Sequence, residues 1–526
     1  MDPIDERELK VKVGDATMNK EIKRLRAGSI GVFAVAFMAL ATAAPITAMT
    51  GNVPIAVGFG NGMYAPGGYI FAGIILTIFT VGYAAMSRHI TNTGSFYGFI
   101  SHGLGPAVGF ISGVLSAFAY IVFEASIIGI FASFTRTTII AFHGPTISWV
   151  PIALVGIVLI ALLGYFDISI SGVILGVFLV TEVAILLLMS FSVLFHGGGP
   201  DGLIPQALSP IKAFSAVAAD PKAGIVGSAA IGLFFAFWSW VGYETTAVYG
   251  EESKNPKKVI PKALIIVVIA IMVLYAFVSW MTIAGDGTHQ AIAYSRSSNP
   301  FAMFYNVADI FVGGWAKNIY QVLIITGSFA CALAFHNAAS RYIYSIGREL
   351  PSKSIARALG KTHDKHKSPH VASITQTIIT LAFVLGFWIF QKPTATVPDV
   401  AYSDIYGLLA ILGTMIVLIV QSLCSISVIS YFHVKKQHPE TANVFRTIIA
   451  PIIGAAGMIY VIYLLFNNLS FAAGAAASSP FFHAIPWIVV AVAVLAGGYV
   501  LFLRQRHPDE YSQLGKTILE ETQERD

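Results

Sequence analysis

Residues 234–263 read FFAFWSWVGYETTAVYGEESKNPKKVIPKA. The stretch starts as a helix in hydrocarbon would, then places Gly242 and Glu244 where that helix should continue. Glycine weakens a helix by about 1 kcal/mol relative to alanine. A carboxylate at the bilayer centre costs from ~2.5 to more than 10 kcal/mol. A plain membrane anchor has no use for either residue. The segment therefore reads as a spanning helix that breaks near Gly242 beside a polar cavity, then enters an aqueous loop from Glu251 to Pro261.

The rest of the chain supports lipid as its solvent. Hydrophobic residues make up 56% of 526 positions and charged residues 11%, with a mean hydropathy of +0.74. A single soluble core stops growing at roughly 250–300 residues, whereas many runs here reach the ~20 apolar residues needed to cross a bilayer as a helix. The expected fold class is an all-α polytopic membrane protein. Spans fall near 28–60, 67–87, 107–132, 148–164, 169–195, 223–249, 262–284, 317–345, 371–390, 404–432, 448–468 and 486–503, twelve in all. Residues 1–27 and 504–526 form polar tails. Cys331 and Cys424 both lie in apolar runs and read as small buried hydrophobes, with neither disulfide nor metal-ligand spacing.

Lysine and arginine set the orientation. One face gathers 26 of the 32 basic residues, from Arg7 to Arg26 in the tail through Lys254–Lys262, Arg341–Lys367 and Lys435 to Arg525. The other face has only Arg136, Lys212, Lys222, Arg296, Lys317 and Lys392. Both termini are expected in the cytoplasm and the chain in the cytoplasmic membrane. The net charge of +5 reads as an orientation signal, with no nucleic-acid partner.

A second span is interrupted. ALATAAPITAMTGNVP, residues 39–54, carries Pro45, Gly51 and Pro54, and the helix should open around Thr42 to Pro45. The interrupted spans stand first and sixth, so each opens a block of five, 28–195 and 223–432. An odd number of spans turns the second block upside down, and paired interruptions at matching places point to a midplane substrate site. Freed amides attract a carboxylate and freed carbonyls accept from an ammonium group. Such a cavity suits an α-amino acid, or an amine if acids are added.

The opening stretch resembles the sixth-helix signature of the amino acid–polyamine–organocation (APC) superfamily: an aromatic, then G-[FVY]-E, then an E-x-x-N-P-[KR]-x-[IV]-P loop. SRHITNTGSFYGFISHGLGPAVGFISG (87–113) is similar to the family's loop between helices two and three, and NAASRYIYSIGRELPSKSIARAL (337–359) with SPHVA (368–372) to its eighth-helix exit. The resemblance covers roughly residues 28–430, with a two-helix addition at 448–503. It implies the LeuT-type fold of five plus five inverted helices and transport by alternating access. Many relatives carry a Gly-Ser-Gly type break in the first helix; Thr42-Ala43-Ala44-Pro45 stands in its place. On this reading the substrate carboxylate meets amides at Thr42, Ala43 and Ala44, and its ammonium group meets carbonyls around Trp238, Val241 and Gly242. The resemblance also places Trp238 as an aromatic lid and Glu244 in gating or proton sensing.

Three acids lie deep in apolar spans: Glu124, Glu182 and Glu244. Such residues are functional candidates by default, and a buried carboxyl that exchanges a proton is what a proton carrier needs. Relatives place a lysine near Glu182, so a glutamate reverses the sign; it carries a proton or helps hold a cation. Glu124 and Tyr120, one turn apart, are expected near the substrate side chain; the alternative for Glu124 is a structural acid bonded to hydroxyls. His336 and Asn337 stand on the eighth span, with their facing undecided. GKT at 515–517 lacks the glycine a phosphate loop needs at Glu510, so no ATP-binding subunit is implied. His363, His366 and His370 sit in a solvated basic loop. No residue set suggests an enzyme, a cofactor or a metal centre.

The expected function is import of an amino acid with a small-molecule substrate as partner and lipid as surroundings, coupled to H⁺ or, alternatively, Na⁺. A polyamine or cationic amino acid carrier, and a ligand sensor without coupled flux, are the rivals.

Overall fold

A computed structural model describes residues 28, 30–165, 168–218, 227–351, 355–394, 397, 399–468, 476–477 and 479–515. The expected tail 1–27, residues 516–526, and the basic residues Lys222 and Lys353 lie outside the described residues. Among the described residues regular structure is helical throughout, with two isolated bridges and no strand. This is what a bilayer demands, since a helix satisfies its own backbone polar groups.

The chain runs through α1 (Val32–Ala43), α2 (Pro45–Ile55), α3 (Ala65–Ser87), α4 (Phe96–Leu104), α5 (Pro106–Ala141), α6 (Trp149–Tyr165) and α7 (Ile168–Phe195). After a loop come α8 (Ala229–Trp240), α9 (Pro256–Asp286), the short α10 (Thr288–Ser295) and α11 (Ala302–Phe311), then α12 (Gly314–Gly347), α13 (His370–Phe390) and α14 (Gly407–Ile429). The helices α15 (Ala450–Asn467), α16 (Pro480–Arg506) and α17 (Pro508–Gln513) follow. Ten helical stretches among the described residues are long and apolar enough to cross a membrane, so this is a multi-pass membrane protein. Two further expected spans do not qualify by length: α6 has 17 residues, and the sixth is divided between α8 and a 3-10 helix, Tyr243–Glu252.

Burial separates core from rim. The most apolar stretch of α5 is 89% buried and that of α16 only 22%, so α5 is a central post and α16 a lipid-facing flank. α5 packs along α12 and α14, and α3 along α9. Both described chain ends meet at one end of the bundle. The Ile30 amide donates to the Glu252 carbonyl at 3.2 Å and the Gly515 amide to the Glu349 carboxylate at 2.6 Å.

Candidate functional site

The first interruption falls at Ala44, whose φ of 46° and ψ of 76° are left-handed. Proline disfavours the helical conformation in the residue before it, so α1 stops there. Its fixed φ then suits the first position of a new helix, and α2 starts at Pro45. This corrects the expected amide donors. The Ala44 amide already donates to the Leu40 carbonyl at 2.9 Å, and Thr42 and Ala43 lie in the last turn of α1, where amides serve the preceding turn. The amides freed by the break belong to the first turn of α2, at Ile46 and Thr47, because the Ala48 amide is the first to return, to Ala44 at 2.8 Å. The carbonyls freed at the end of α1 find side chains: Tyr275 donates to Ala43 at 2.7 Å and the Cys331 thiol to Thr42 at 3.4 Å.

The second interruption falls where the opening stretch placed it. α8 ends at Trp240, Val241 turns out of the helix, and Gly242 has a φ of 113°. A Cβ on Gly242 would lie 2.7 Å from the Thr42 methyl and 2.8 Å from its carbonyl carbon, so the two broken helices touch at their breaks. Glu244 closes the second break. Its Oε2 accepts the Gly242 amide at 3.1 Å and its Oε1 accepts the Tyr120 hydroxyl at 2.7 Å.

Between the breaks lies a cavity of ≈ 20 Å³. A single water needs about 10–15 Å³ by this measure, so no amino acid fits until the helices move. Thr42, Ala43, Ala44, Trp238 and Val241 line it as expected, joined by Asn52, Cys331 and Tyr406. No lining residue is charged. Trp238 lies 4.6 Å from the Phe123 ring and donates its indole N–H to the Tyr406 hydroxyl at 3.1 Å. Tyr406 in turn donates to Asn52, and Asn52 to Ser239 at 2.8 Å. This aromatic and amide roof joins α2, α8 and the start of α14. Asn52 and Tyr406 were not anticipated, since nothing local in the sequence links positions 354 residues apart.

The remaining expected residues lie outside the cavity lining. Tyr120 is engaged with Glu244. Glu124 faces away toward α12 and α13, where His336 Nδ1 lies 3.1 Å from its Oε2 and Gln376 donates to the same oxygen. Glu182, 2% exposed, stands beside Ile46 at the start of α2, and its Oε2 has no partner. Gly327 of α12 makes the room: a Cβ there would lie 2.9 Å from Glu182 Oε1 and 2.4 Å from the Ile46 methyl. Gly327→Val is therefore expected to displace the carboxylate from α2 and lower uptake about tenfold, an effect worth ~1.4 kcal/mol. Transport at the unmodified rate would show that Glu182 needs no fixed position.

At the end of the bundle carrying both described chain ends, two buried ion pairs fasten the segment after the second break to α12 and its exit. Arg341 grips Glu252 through two bonds of 2.8 and 2.9 Å. Arg348 grips Glu251 through both its terminal nitrogens, one at 3.1 Å, and Thr93 also donates to Glu251. Burial opposes ionisation of Glu251, but the Arg348 guanidinium prevails and holds its carboxyl below the usual range.

A family model described as "Amino acid permease" matches residues 30–499. The branched-chain amino acid permease BcaP of Bacillus subtilis is 24% identical over 244 residues, 46% of this chain and 46% of that protein's length. BcaP of Lactococcus lactis is 24% identical over 60% of this chain and 67% of its own. The low-affinity putrescine importer PlaP of Escherichia coli is 23% identical over 69% and 82%. The match thus spans less than half the length of the Bacillus relative.

Proposed function

The chain belongs to the amino acid permease family of the APC superfamily, and from that premise we propose that it imports a neutral, largely apolar amino acid across the cytoplasmic membrane by alternating access, coupled to H⁺. One observation carries the reading: the two helix breaks meet, Gly242 against Thr42, on an uncharged cavity between them. The free amide of Thr47, which lines that cavity, is the donor for a substrate carboxylate. The carbonyls at the end of α8 accept from the ammonium group, and Ile127, Phe335 and Ala48 offer apolar contact for a side chain. Trp238 is the lid. Glu182 couples protonation to movement of α2, because its carboxylate stands beside Ile46 at that helix's positive N-terminal end and loses that attraction when neutral. The distribution of basic residues supports a cytoplasmic placement of both termini.

The test is uptake in proteoliposomes under an imposed pH gradient. Uphill accumulation of leucine or valine is expected, and Glu182→Gln should lower it about tenfold or more. Accumulation that follows a sodium gradient at constant pH would overturn the proton assignment. The putrescine importer among the relatives supports a second reading, a carrier of polyamines or cationic amino acids. In a thermal-shift comparison, stabilisation by putrescine or lysine and none by leucine would favour it, since a ligand that binds the folded state raises its stability. The absence of charge in the lining favours the neutral amino acid.

A further inference from the structure

We propose that Glu124 and His336 form a proton-binding pair, filled and emptied along the face of α13 that carries Ser373 and His370, separate from the substrate cavity. The inference rests on the transport reading above. The pair is buried where α5, α6, α12 and α13 meet: Glu124 is 1% exposed and His336 is 0%. The imidazole sits close against α6, where a Cβ on Gly164 would lie 2.6 Å from its Nε2.

The bonding allows a proton to come and go without leaving a polar atom of the pair unpaired. His336 Nδ1 faces both carboxylate oxygens, at 3.2 and 3.1 Å, and His336 Nε2 faces the Ser373 hydroxyl at 2.8 Å. With the imidazole neutral, Nδ1–H donates to Glu124 and Nε2 accepts from Ser373. When a proton from water at the helix end arrives at Nε2, the N–H donates to the Ser373 oxygen. The serine hydrogen then turns to the carbonyl four residues back, as helical serines do. The pair gains one positive charge beside the carboxylate, so the buried site becomes neutral. A buried charge costs far more than a buried neutral pair, and the exchange therefore changes how tightly α12 and α13 are held to α5.

The other groups around the pair do not replace it. On α5, Tyr120 is committed to Glu244; on α12, Arg341 is committed to Glu252. On α13, Gln376 donates to Glu124 and also to Thr380 at 3.3 Å. On α6, Tyr165 follows Gly164 and stands among the rings of His363, His366 and His370. His370 lies one turn before Ser373 on the same face of α13, and its buried Nδ1 has no partner. It leads from Ser373 to the exposed turn at residues 364–365, where solvent supplies and receives the proton.

The test uses the full chain purified and reconstituted, with His336→Gln and Ser373→Ala, each checked for folding by thermal stability. Uptake driven by a pH gradient is compared with exchange of labelled for unlabelled amino acid at equal pH, which moves no net proton. His336→Gln is expected to cut gradient-driven uptake about tenfold or more while exchange stays within about twofold, and Ser373→Ala to slow uptake in the same sense. Equal loss of both modes, or no loss of either, overturns the proposal. An infrared pH titration of the buried carboxylate band separates the two readings. A carboxylate band that shifts with pH while staying ionised, disappears in Glu124→Gln and loses its pH response in His336→Gln supports the pair even if the intact protein moves no amino acid. A band whose pH response is unchanged by His336→Gln overturns it.

Discussion

Gly242→Ala is expected to lower initial uptake by about a hundredfold, or roughly 2.7 kcal/mol of barrier, in protein that still reaches the membrane. Two effects act together. A φ of 113° is one that side chains avoid, at about 1–3 kcal/mol for a non-glycine residue in such a region. The new methyl would also meet Thr42 at 2.7 Å, with its backbone carbonyl carbon at 2.8 Å. A side-chain tip can swing aside, but the end of α1 cannot move without shifting the cavity it lines. Substrate-driven uptake in proteoliposomes measures the loss. A rate within about twofold of the unmodified protein would mean that the contact between the breaks does not control transport.

Arg348→Ala should have the largest effect on stability. It leaves Glu251, whose side chain is 1% exposed, charged and without its guanidinium partner. Breaking a buried pair in this way costs about 3–5 kcal/mol, which should appear as a fall of several degrees in the midpoint of thermal unfolding in detergent. Replacing both partners with Leu and Met should recover much of that loss, since no charge remains buried. An unchanged midpoint in the single variant would show that the pair contributes nothing net. The same substitution is expected to speed modification of Cys331 by a maleimide in a Cys424→Ser background, because the fastened end shields the cavity that Cys331 lines. The pH behaviour follows from the lowered Glu251 pKa. Its contribution is present above the ordinary carboxylate range and lost only as pH falls through the lower folded value. Glu251 therefore stays ionised through the neutral range, so its pairing with Arg348 adds no pH dependence there.

Much of this architecture is legible in residue order. Pro45 and Gly242 announce the two breaks because each alters the backbone directly, whatever surrounds it. The position of the freed amides was harder to read. Pro45 could end one half-helix or start the next, and only the structure shows that it starts α2, which moves the donors from Thr42–Ala44 to Ile46 and Thr47. The facing of Glu124 was illegible for another reason. Its partners, His336 and Gln376, lie 212 and 252 residues away, and α5 is buried on nearly every side. A helix buried all round has no polar face to indicate which neighbour a carboxylate meets. Tyr120 and Glu124 share a helix face one turn apart, yet they reach different partners. The span count differed because α6 has 17 residues and the broken sixth span falls into pieces of 12 and 10, helix lengths that the hydropathy of the sequence does not reveal.

The ≈ 20 Å³ cavity has a consequence for every affinity measured on this protein. A resting conformation closed around so little space cannot be the one that first meets its cargo. If only a fraction of molecules is open at any moment, the observed dissociation constant is the intrinsic one divided by that fraction. Changes that loosen either end, far from any contact with the amino acid, should then strengthen apparent binding while weakening coupled transport. Tight binding and good transport would pull in opposite directions, and a variant selected for one would drift from the other.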